Sequence, residues 1–105
     1  MFLLALGRAQ EAADAERRAL ALDPDIADAH ILLGGALAKL GEPAEAASHF
    51  EAALALGADT LPLRLGYAAA LEELGRDAES AEQLEAYRRL RSELGRTSGP
   101  QSDDR

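Results

Sequence analysis

The chain has 105 residues and a formal charge of −8, an acidic balance that excludes nucleic acid as a partner, because its phosphates are repelled rather than neutralised. There is no cysteine, which excludes a disulfide framework, a thiolate nucleophile and a thiolate metal centre. Valine and asparagine are also absent and Ile26 and Ile31 are the only isoleucines. With strand formers so scarce and alanine and leucine dominant, the fold class is all-α.

In chain order, residues 2–6 read as the end of a helix closed by Gly7, a residue suited to the left-handed conformation at helix C-termini. Phe2 to Leu6 is far too short to span a bilayer and has no basic stretch before it, so neither membrane insertion nor a secretory signal is expected. A second helix is predicted from Ala9 to Leu22, stopping before Asp23-Pro24. The next, with Asp25 as N-cap and Asp28 in its first turn, runs to Leu40 with Ile31, Leu33 and Leu37 on its apolar side. Gly41-Glu42-Pro43 turns the chain into a helix that reaches Leu56. Thr60 caps a helix that extends to Leu74, Gly75-Arg76 turns, and the last helix spans Asp77 to Leu94 with Gly95 as its stop. Residues 95–105 have nothing apolar to bury beyond the helix and are expected to be a disordered polar tail.

These elements recur. Leu-Gly stands at 6–7, 40–41 and 74–75, a spacing of 34 residues that also aligns Glu11, Glu45 and Glu79, and Ala12, Ala46 and Ser80. A fixed period of that length carried through two helices per unit predicts an α-α superhelix of antiparallel hairpins. The units are 1–26 (partial), 27–60 and 61–94, about two and a half in all.

The pattern resembles the tetratricopeptide repeat family. Residues 27–60 fit it best: Leu33-Gly34 and Leu37 in the first helix, then Ala46, Phe50 and Ala53 as a small-large-small series in the second. The first unit repeats this with Ala12, Ala19 and Pro24, and the third with Ala68, Leu71, Ser80 and Leu84. Departures are His30 and Arg64 where the family often has tryptophan, Glu16 in place of a large apolar residue, Tyr87 at a small position, and Ala58 and Ser92 in place of the closing proline. Because the first unit lacks the start of its first helix, the chain is expected either to be a fragment of a longer array or to be completed by another chain, giving a homo-oligomer.

No catalytic constellation emerges. His30 and His49 lie on different predicted helices outside any HExxH pair, the acidic pairs Glu72-Glu73 and Asp103-Asp104 have no further ligands near in sequence, and Gly34-Gly35 lies within a helix rather than a phosphate loop. No enzyme activity, metal or cofactor is expected, and the cytoplasm is the favoured compartment.

What the resemblance implies is a protein-protein interaction scaffold whose concave groove is lined by the first helix of each unit. Carried over residue by residue, that groove takes Asp28, Ile31, Leu32, Gly35 and Lys39 from the second unit, and Leu65, Ala69, Glu72 and Glu73 from the third, with Leu4 and Ala5 as a remnant of the first. Some members clamp a C-terminal carboxylate with lysine, arginine and asparagine, but this chain has no asparagine and its groove offers Lys39 alone as a cation. An apolar strip with an acidic rim instead suits a protein helix or extended peptide with apolar and basic residues. Self-association through the same surface, or a docking role within a larger enzyme or transcription regulator, are the alternatives. For the regulator, residues 84–95 are similar to helices that end the activator domain of some bacterial proteins.

Overall fold

The computed structural model describes residues 2–98, which form five helices: α1 Phe2–Leu22, α2 Ala27–Lys39, α3 Pro43–Ala55, α4 Leu61–Glu73 and α5 Asp77–Ser98. Helices α2 and α4 begin 34 residues apart, as do α3 and α5. Helix α2 pairs with α3 and α4 with α5, while α1 packs on α2, α3 packs on α4, and α2 touches α4. The result is an array of antiparallel hairpins with overall extents of 50 × 32 × 31 Å.

Three turns are built alike. At Gly41, Gly57 and Gly75 the backbone takes φ of +79°, +95° and +78°, the left-handed conformation that costs glycine least. Each turn closes with the same two bonds: Gly41 N–H donates to Ala38 O and Glu42 N–H to Leu37 O, and the pattern repeats after α3 and α4. These bonds satisfy carbonyls that a helix end leaves without partners. Thr60 caps α4 as expected, its Oγ1 accepting from Leu63 N–H at 3.3 Å.

Three expectations about helix ends need correction. Gly7 does not close a helix; α1 is continuous from Phe2 to Leu22. A separate helix of five residues would bear the full cost of nucleation for almost no internal hydrogen bonds, whereas one interior glycine costs about 1 kcal/mol. Gly95 likewise lies within α5, which continues to Ser98; no later helix packs back on it among the described residues, so nothing requires a reversal there. Asp25 is not the N-cap of α2. Ile26 holds that position without a side-chain bond, and Asp25 N–H instead donates to the Asp23 carboxylate at 3.0 Å across the Asp23-Pro24 turn. The expected tail beyond Ser98 lies outside the described residues.

The core lies where four helices meet. Leu33, Leu37, Phe50, Leu63 and Leu71 are its largest fully buried side chains, and Ala13, Ala46 and Ala53 are buried among them. Phe50 acts as a wedge between helices. A Cβ placed on Gly34 of α2 would stand 2.8 Å from its ring, and one on Gly66 of α4 would stand 2.7 Å from it. The two glycines therefore let one aromatic ring bind α3 to its own hairpin partner and to the next unit. Further along α4, the Tyr67 hydroxyl donates to Glu51 of α3 at 2.8 Å, and its burial together with that carboxylate pushes the phenol pKa up to about 12. In the last hairpin the buried Ser80 hydroxyl donates to Ala68 O at 2.8 Å, tying α5 to α4.

Candidate protein-binding face

Helices α1, α2 and α4 together enclose an open cavity of about 790 Å³. Its walls come from Ala5, Arg8, Ala12 and Glu16 on α1, from Ile31, Leu32, Gly35 and Lys39 on α2, and from Pro62 and Gly66 on α4, with Phe50 reaching in from α3. A second hollow of about 360 Å³ shares Ile31, Leu32 and Pro62 with it and adds Asp28 and Thr60. Leu32 is 57% exposed and Leu65 48% exposed. Large aliphatic side chains held open to solvent beside a concavity are the part of this surface that gains most from being covered.

The structure brings together five of the nine groove residues expected from sequence: Asp28, Ile31, Leu32, Gly35 and Lys39. Leu65, Ala69, Glu72 and Glu73 stand exposed on α4 and line neither hollow. Ala5 lines the cavity as part of the continuous α1 rather than as a remnant of another helix, and the side chain of Leu4 lies outside the described residues. What sequence reasoning missed is the contribution of α1. The signal was present in the register, which equates Ala12 and Glu16 with Ala46 and Phe50, the residues that seal the next hairpin.

Charge is distributed unevenly over the face. Arg8 stands near the start of α1 and Lys39 at the end of α2, so both lie at one end of the cavity. Glu16 stands two turns further along α1, about 12 Å from Arg8, and Asp28 opens α2. The α1–α2 side of the cavity is therefore basic at one end and acidic at the other. On the outside of the array, Arg17 of α1 donates to Glu45 of α3 at 3.3 Å, an exposed pair of small energetic value.

The two histidines meet although they belong to different helices. His30 Nδ1 and His49 Nδ1 are 3.0 Å apart, and His30 Nε2 lies 2.9 Å from the carbonyl oxygen of Pro24. That carbonyl can only accept, so neutral His30 carries its proton on Nε2 and receives the His49 Nδ1–H at its own Nδ1. Partial burial, with His30 and Arg17 adding to it against Glu45, holds the pKa of His49 below the ordinary 6.5. Arg64 and Gln83, one period later, make the same cross-hairpin contact at 2.6 Å. The histidine pair is thus one instance of a repeated clasp between hairpin partners. Among the described residues no group of three or more histidines and carboxylates is placed to hold a metal ion.

Residues 27–59, which cover the α2–α3 hairpin, match the family model for the tetratricopeptide repeat. The α2–α3 hairpin is thus similar to one tetratricopeptide repeat. Tetratricopeptide repeats are non-catalytic scaffolds that mediate protein-protein interaction. No curated protein matches the chain. Among the described residues no helix is long and apolar enough to cross a membrane.

Proposed function

We propose that the chain binds a segment of a partner protein along the face made by α2 and α4. The observation that carries this reading is the pair of exposed leucines, Leu32 and Leu65, beside hollows lined by Ile31, Leu32 and Pro62. The aliphatic strip supplies the gain from burial, while Asp28, Glu72 and Glu73 form an acidic rim that favours basic residues at the edges of the ligand. The ligand is accordingly an amphipathic helix or an extended apolar peptide with basic flanks. Leu65 on α4 takes part through its exposed side chain.

Peptides selected from a random library against the wild-type chain test the reading. They are expected to carry an apolar stripe with flanking lysine or arginine, and to lose about tenfold or more in affinity for Leu65→Asp, the loss typical of removing a central anchor. Helicity by circular dichroism should stay unchanged, because Leu65 is outside the core. Full-strength binding to Leu65→Asp would remove α4 from the binding face.

A further inference from the structure

The two complete hairpins show what a helix such as α1 is built to hold, and among the described residues α1 holds nothing there. In α2–α3, Ala46 is fully buried and Phe50 packs its ring on Gly34. In α4–α5, the buried Ser80 bonds to Ala68. The same register positions on α1 are Ala12, which is exposed, and Glu16, which is half-buried. Helix α1 packs on α2 and reaches α3 through the Arg17–Glu45 pair, and the side of α1 that a hairpin partner would occupy opens into the 790 Å³ cavity.

We propose that this face of α1 receives an α-helix of a partner protein, which lies antiparallel to α1 in the position that α2 takes on α3 and α4 takes on α5. The site adjoins the α2–α4 face, with which it shares the cavity walls Ile31, Leu32 and Pro62, but its test substitutes residues of α1 and so does not depend on the function of that face. Two independent observations agree on the polarity of the incoming helix. The hairpin register sets it antiparallel to α1, with its N-terminus toward Glu16 and its C-terminus toward Arg8. The charges demand the same direction, because a helix N-terminus carries partial positive charge and a C-terminus partial negative charge. Glu16 with Asp28 faces the first end, and Arg8 with Lys39 faces the second.

The partner's chemistry follows from the helices that fill this position elsewhere in the chain. A small residue, Gly34 or Ala68, sits at the crossing, and the residues it meets, Phe50 and Ser80, correspond on α1 to Glu16 and Ala12. Four residues earlier, His30 and Arg64 contact His49 and Gln83, whose register equivalent on α1 is Ala15, beside Glu16. A basic residue at that place in the partner meets the Glu16 carboxylate, an attraction that the other two hairpins cannot offer because they have Phe50 and Leu84 there. The partner helix therefore has a basic residue in its first turn, a small residue four positions on, and acidic residues in its last turn toward Arg8 and Lys39. Helix α4 itself has this order in Arg64, Ala68, Glu72 and Glu73, so a peptide of residues 60–74 with blocked ends serves as the probe.

Fluorescence anisotropy of the labelled probe against the full chain reads the interaction directly. Saturable one-to-one binding is expected. Ala12→Phe should weaken it about tenfold or more by filling the crossing, and Glu16→Lys should weaken it roughly threefold by reversing one partly exposed pair. The probe variant Arg64→Glu should lose affinity for the wild-type chain and regain it with Glu16→Lys. Because Ala12 is exposed, Ala12→Phe should keep the wild-type melting temperature. To detect weak binding, the probe is also joined ahead of the chain by a glycine-serine linker, which should raise the melting temperature, and Ala12→Phe should cancel that rise. No binding together with no rise in the joined form would overturn the proposal. So would binding indifferent to both α1 variants, or a dimer joined through Ala12 of two copies that the probe does not displace.

Discussion

At Phe50 a single ring touches the glycines of two different helices, and this contact explains why neither glycine carries even a methyl group. Moving the ring away from Gly34 drives it toward Gly66, so the close approaches of 2.8 and 2.7 Å cannot both be relieved by a small rotation. Gly66→Ala gains about 1 kcal/mol in helix propensity but overpacks the wedge by about 1–3 kcal/mol. A net loss of stability is expected by urea unfolding, and Phe50→Leu in the same chain should recover part of it, since the shorter side chain leaves room for the new methyl. If the double variant were no better than the sum of its parts, the ring would not be the obstacle. The same residue scale explains Glu16. It occupies the register position of Phe50 on a helix that faces the cavity, where a charged group keeps contact with water.

At the scale of the element, each hairpin is held by contacts that join its two helices at equivalent places. In α2–α3 the clasp is the histidine pair, which requires His49 to be neutral at Nε2 or to carry charge in a partly buried position. Its pKa lies below the ordinary 6.5 chiefly because burial disfavours the charged ring. The unfolded chain therefore binds a proton more readily than the native one between the lowered value and 6.5, so stability rises with pH across that interval and is lost as pH falls below 6.5. Melting temperatures taken from about pH 8 down to about pH 5 should fall more steeply for wild type than for His49→Gln, which has nothing to titrate. Parallel curves would separate the clasp from the pH response. The turns that flank the hairpins belong to this scale as well. Gly41 and Gly75 end helices that reverse onto a partner, while Gly7 and Gly95 are passed over within α1 and α5. The glycine is the same in each case; the presence of a helix to fold back on differs.

Across the whole molecule, stability is distributed as in a one-dimensional stack, because each unit contacts its neighbours and no distant unit. Helices α2, α3 and α4 lie between neighbours, whereas α1 rests on α2 and α5 rests on α4. Hydrogen exchange should follow that order. The amides of α2, α3 and α4 are expected to exchange by global unfolding, and those of α1 between Ala5 and Ala12 by local opening of lower free energy. Uniform protection across all five helices would show instead a single cooperative unit, or an α1 face that is already covered in solution. The net charge of −8 favours solubility of such an open array and selects for basic features in what binds it.

The sequence by itself determined the helical class, the 34-residue register and the turns at Gly41 and Gly75, because periodic burial and turn-forming glycine are local properties that repeat with the unit. The resemblance to the tetratricopeptide repeat also marked Ala46, Phe50 and Ala53 as a small-large-small series. Tertiary structure alone decided that Gly7 and Gly95 continue their helices, that Asp25 leaves the N-cap to Ile26, and that His30 meets His49. It also decided that the face of α1 stands open beside α2 and α4. Each of these outcomes depends on what lies across the gap from a residue, and a side chain's neighbours in space are set by packing between helices, which no local pattern of residues encodes.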